Sequence, residues 1–122
     1  MDPRELARLH ALGRAVVGLT LTVFPERAGA GWVGHDAGRP GARVMTRAMG
    51  ARDLAIGLGA AYTAGQGYGA KPWQVAGVLA DTADLLATLR ERDALPSSAV
   101  LGVSAIAGGS LLLGLWFRAA LD

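Results

Sequence analysis

Between Ala94 and Phe117 the chain runs ALPSSAVLGVSAIAGGSLLLGLWF, 24 residues without one charge. As a helix, that length spans the hydrocarbon core of a bilayer, whereas the core helix of a soluble domain is normally shorter and bounded by polar turns. The stretch therefore predicts a membrane-spanning helix over about 97–118. Pro96-Ser97-Ser98 marks its start and an interfacial Trp116-Phe117-Arg118 its end. Ser104/Gly108, Ala105/Gly109 and Ser110/Gly114 place small residues four apart, a spacing that lets a second helix come close.

The rest of the chain reads as three further helices, each less comfortable in lipid. The first covers about 3–24, with Asp2 as cap, Pro3 at the first helical position and Glu5 in the first turn. Arg8, His10 and Arg14 occupy its first half, so only AVVGLTLTVF from Ala15 to Phe24 is cleanly apolar. A secretory signal peptide cleaved near Ala28-Gly29-Ala30 is the competing reading of this segment. A glycine-rich loop is expected over Ala28 to Ala42, then a second helix over about 43–64, a turn at GQGYGAK, and a third helix over about 72–90. With 52% hydrophobic residues, 18 glycines and only 18% charged residues in 122 positions, the expected architecture is all-α. It is a single four-helix transmembrane bundle over 1–122.

The third helix carries the chemical problem. VLADTADLLATLR, residues 78–90, sets Asp81 and Asp84 inside an otherwise apolar run. Each Asp near a membrane helix centre costs about 2.5 to 3.5 kcal/mol, while Leu and Val return only about 0.3 to 0.6 kcal/mol each. Such a helix inserts poorly alone and needs partners for its carboxylates. The arginines of the first two helices, Arg14 and Arg52, are the candidates, since a guanidinium fork can hold a carboxylate with two parallel hydrogen bonds.

Spacing says these groups face inward. Gln74, Gly77, Asp81, Asp84 and Thr88 recur at steps of three and four and share one stripe. On the second helix Thr46, Gly50, Asp53, Gly57, Ala60 and Ala64 form another, with Arg52 about 100° away. His10 and Arg14 share a face of the first. The reading thus predicts a buried cluster of Arg14, Arg52, Asp53, Asp81 and Asp84, with His10 and Arg47 nearer a surface. Two guanidiniums against three carboxylates leave a formal charge of minus one on the cluster.

The chain resembles a class of small, functionally uncharacterised bacterial membrane proteins with four helices. In these a Gly-Ala-Arg-Asp (here Gly50 to Asp53) opens the second helix and an Asp-x-x-Asp (here Asp81 to Asp84) occupies the third. The resemblance implies a fold and an integral position in the inner (cytoplasmic) membrane of a bacterium, and implies no activity.

Intramembrane ionisable groups point to function by default, and three classes of role fit. The first is binding or acid-base conversion of a lipid-soluble small molecule. In it Asp81 and Asp84 are catalytic, and Arg14, Arg52, Asp53, His10 and Gln74 hold the substrate. The second is a dimeric, ion-coupled small transporter or channel. The third is a structural or accessory membrane subunit whose charges fix helix register. Expected partners are membrane lipid, a hydrophobic small-molecule ligand and a second copy of the chain. A single Asp-rich motif falls short of the two that membrane prenyl-transfer enzymes use for metal, so no metal or cofactor is expected. There is no cysteine, and 11 of the 12 basic residues are arginines scattered through the chain, which argues against thiol chemistry and against nucleic acid as a partner.

Overall fold

A computed structural model describes residues 1–121. The architecture is all-α: α1 (Pro3–Val23), a short α2 (Pro25–Val33) running into a 3-10 turn (Gly34–Gly38), α3 (Pro40–Gln66), α4 (Ala70–Arg90) and α5 (Ser97–Ala120), with no strand among the described residues. Prolines set most of the boundaries. Pro3, Pro25 and Pro40 each sit at a helix N-terminus, where the missing N–H would have no partner anyway. Asp2 caps α1, its carboxylate accepting from the Arg4 amide at 3.0 Å. α3 ends at Gly67, whose φ of +78° is a left-handed conformation that glycine adopts without strain.

The glycine-rich segment expected as a loop over Ala28 to Ala42 is instead mostly helical. α2 takes residues 25–33, the 3-10 turn 34–38, and α3 begins three residues earlier than expected. The reason lies in what the glycines do. Gly34, at φ +69°, is a true stop signal. Gly29 is a packing residue: a Cβ there would lie 3.4 Å from Ala37 Cβ and from Thr46 Oγ1. Glycine marks a turn and a close approach alike, and only the surroundings distinguish them.

α1 and α3 lie antiparallel with their backbones in contact. A Cβ on Gly18 would fall 2.4 Å from Leu54 N, one on Gly50 2.6 Å from Gly18 O, and one on Gly57 2.6 Å from Ala11 O. No side chain larger than hydrogen fits at these three points. α4 packs along α5, and the contact is tight at Gly114, where a Cβ would meet Val78 at 2.8 Å. Gly108 and Gly109, also singled out by their spacing, face open space. Both chain termini lie at one end of the bundle, with α2 at the other.

The interior is made of small residues. Ala7, Ala64 and Ala70 pack with Phe117 and Leu121 near the terminal end, and Ala11, Ala60 and Ala61 pack under Trp73 one layer deeper. Thr46, Asp53, Gln74, Asp81 and Thr88 are buried with them, while Val16, Leu19, Leu58, Leu79, Leu86, Leu101, Ile106 and Leu112 are exposed. α1 and α5 are each long and apolar enough to cross a membrane.

Candidate functional site

All seven residues singled out in the sequence (His10, Arg14, Arg52, Asp53, Gln74, Asp81 and Asp84) lie on α1, α3 and α4, and α5 meets them at Ser110, Gly114 and Phe117. The stripe on α3 is buried at every position from Thr46 to Ala64. That on α4 is buried at Gln74, Gly77, Asp81 and Thr88 and half-buried at Asp84. Turned inward, these faces bring each buried carboxylate against a guanidinium that compensates its charge.

Arg14 is the hub. Its Nη2 donates to Asp81 Oδ2 at 2.5 Å and to Ser110 Oγ at 3.0 Å, and its Nη1 reaches Asp53 Oδ1 at 3.4 Å. One guanidinium on α1 thereby ties α3, α4 and α5. Gly77 makes room for it: a Cβ there would come within 3.5 Å of Arg14 Nη2. His10, one turn earlier, places Nε2 2.8 Å from the same Ser110 Oγ and its ring 5.7 Å from that of Phe117.

Arg52 forms the second centre. Its Nη1 and Nη2 meet Asp84 Oδ1 and Oδ2 at 3.1 and 2.7 Å, the bidentate fork that matches carboxylate geometry, and its Nε donates to Asp53 Oδ1 at 3.2 Å. Asp53 lies between the two arginines and joins both halves into one network. Farther along α4, Thr88 donates to Asp84 O at 2.7 Å and accepts from Trp32 Nε1 at 2.9 Å, so α2 is pinned to the bundle beside the cluster.

The space beside this network is small. His10, Arg14, Trp73, Gln74, Asp81 and Ser110 border a cavity of about 10 Å³, which holds about one water. Among the described residues no group of three or more His, Asp or Glu side chains is arranged to hold a metal ion. Arg47 stands apart from the cluster, its Nε on Thr22 O at 3.3 Å, and His35-Asp36 sits in the 3-10 turn, where Asp36 pairs with exposed Arg39.

Two contributors escaped the sequence reading. Ser110 enters the list of small residues by its spacing but acts through its hydroxyl, as an acceptor for Arg14. Trp32, which no spacing singles out, is a hydrogen-bond donor to Thr88. The only available signal was register: Ser110 lies four residues before Gly114 and seven before Phe117, both buried on the inner face of α5. Comparison with protein-family models, with curated proteins and with solved structures finds no match for this chain.

Proposed function

We propose that the chain is an integral membrane protein in which the four long helices form a membrane-spanning bundle. In this reading the Arg/Asp cluster is its internal fastening, and its role is that of a structural or accessory membrane subunit. The membrane part is supported by an inverted distribution of side chains: charge, amide and hydroxyl groups inside, large aliphatic groups outside. A soluble domain of this size would need those aliphatic groups in its core, and the core here is mostly alanine and glycine. Without a hydrophobic drive between helices in lipid, small residues and interhelical polar bonds are the means of association.

The role as a fastening is carried by one observation. Each of the five charged side chains already has an oppositely charged partner within the cluster, beside a cavity of about 10 Å³. Sites for small molecules are typically of about 300 to 1,000 Å³. Acid-base conversion of a lipid-soluble molecule by Asp81 or Asp84, or passage of a cargo, would require the helices to part and the pairs to break. Fastening requires neither.

A high-resolution map of the purified protein in a lipid nanodisc tests this reading. Density for no more than a single water beside Asp81 and Asp84 is the expected result. A metabolite or acyl chain lodged against either carboxylate would shift the assignment to binding or conversion. Retention of the chain in membranes washed with alkaline carbonate tests the membrane part.

A further inference from the structure

At the end of the bundle away from the termini, α1 gives way to α2 and α3 begins. There a surface cavity of about 460 Å³ is lined by Phe24, Pro25, Glu26, Arg27, Arg43 and Arg47. Three guanidiniums share it with one carboxylate. Arg43 and Arg47, four residues apart, project from the same face of α3. Their orientation is fixed by backbone carbonyls: Arg43 Nη1 donates to Gly38 O at 2.7 Å and Arg47 Nε to Thr22 O at 3.3 Å. A carbonyl holds a guanidinium in place without cancelling its charge. The Glu26 carboxylate is turned toward the 3-10 turn, where a Cβ on Gly38 would lie 2.9 Å from its Oε1. Among the described residues the arginines in ion pairs are Arg14, Arg39 and Arg52, none of which lines this cavity. The cavity is therefore positively charged, partly preorganised and open.

Its surroundings indicate which anion it suits. Phe24 in the wall is exposed, as are Val44 and Met45 beside Arg43 on α3. Val16, Leu19 and Val23 form an exposed apolar stripe on α1 leading away from the cavity. A small hydrophilic anion would use the arginines and leave this apolar border idle. A molecule with an anionic head and hydrocarbon tails would use both. We propose that the cavity binds the headgroup phosphate of an anionic phospholipid, with Arg27, Arg43 and Arg47 on the phosphate and an acyl chain along Val23, Leu19 and Val16. The proposal rests on the membrane reading above. Planar guanidiniums suit phosphate oxygens in pairs.

The test is a thermal-stability titration of the detergent-purified chain with dioleoyl phosphatidylglycerol, dioleoyl phosphatidylcholine and inorganic phosphate in parallel. Phosphatidylglycerol is expected to stabilise the protein saturably where phosphatidylcholine does not. Each arginine near an anionic lipid surface is worth about fivefold in affinity. The triple variant Arg27→Gln, Arg43→Gln, Arg47→Gln should therefore weaken the effect roughly 100-fold. Because Arg43 and Arg47 also hold backbone groups, Arg27→Gln alone serves as the variant that leaves those bonds intact, with an expected loss of about fivefold. Arg8→Gln, at the opposite end, should leave the titration unchanged. Equal response to the two lipids, or an unaltered response in both the triple variant and Arg27→Gln, overturns the site. Saturable stabilisation by inorganic phosphate alone overturns the assignment to lipid and makes free phosphate the ligand. Release of the wild-type chain from membranes by carbonate would remove the membrane reading and this proposal with it. Retention without a preference for phosphatidylglycerol removes the lipid site alone.

Discussion

The two halves of the ion network differ in a way that separates geometry from burial. Arg52 and Asp84 meet in a bidentate fork, yet the Arg52 side chain is 31% exposed and that of Asp84 14%. Arg14 divides its guanidinium among two carboxylates and a hydroxyl, but its side chain is only 9% exposed and that of Asp81 7%. The better-shaped pair is the less enclosed one. What a broken pair costs depends chiefly on whether the charge left behind keeps a counter-charge, more than on how many hydrogen bonds are lost. Arg14 also joins four helices where the Arg52–Asp84 pair joins two. The Arg14 half should therefore be the keystone, and the Arg52 half a brace.

Arg14→Met tests the keystone most severely. It keeps an unbranched side chain in place of the arginine's apolar stem, removes the guanidinium and its charge, and leaves Asp81 buried without a cation. Loss of one partner of a buried pair costs about 3 to 5 kcal/mol. The expected result is a large fall in the thermal unfolding midpoint in detergent, with loss of the helical signal at temperatures where the wild type persists. A fall smaller than that of Asp84→Asn would reverse the ranking of the two halves.

Asp84→Asn probes the brace. The amide preserves the shape and one acceptor for Arg52, which also retains Asp53 at 3.2 Å as a counter-charge. The expected destabilisation is about 1 to 2 kcal/mol, within the range for a hydrogen bond to a charged group. The same unfolding measurement decides: an unchanged midpoint would mean that the fork contributes nothing to stability, and a fall matching Arg14→Met would mean that burial is not the controlling variable.

This contrast also marks how far the sequence could be read. The inward stripes on α3 and α4 were legible because a carboxylate in an apolar stretch has few places to go, so the positions of Asp53, Asp81 and Asp84 fix which face turns inside. The two arginines were legible as partners for the same reason. Which arginine meets which aspartate was not. Arg52 lies about a quarter turn off its stripe, and its long flexible side chain bridges to α4, a reach that residue spacing does not encode. α2 was missed because glycines that serve as close contacts look the same in sequence as glycines that serve as turns. Gly18 and Gly57 share that ambiguity: nothing in their neighbours announces that α1 and α3 touch backbone to backbone there.

The smallest effect gives the finest test of the keystone, because α5 carries two serines in different circumstances. Ser110 Oγ accepts from Arg14 Nη2 at 3.0 Å and lies 2.8 Å from His10 Nε2, whereas Ser104 Oγ, six residues earlier, is buried with no hydrogen-bond partner among the described residues. Ser110→Ala removes one acceptor from a guanidinium that keeps both its carboxylates, so the cost should be near the roughly 0.6 kcal/mol average for interhelical polar contacts in membranes, and below about 1.7 kcal/mol. Ser104→Ala removes a hydroxyl that gains nothing from its burial and should be neutral or slightly stabilising. Measured side by side in the same detergent, the two substitutions share residue type, helix and change in volume, and differ in the bonds from α5 to Arg14 and His10 on α1. Equal effects would mean that α5 is held by packing at Gly114 and Phe117 alone, and that Arg14 fastens three helices instead of four.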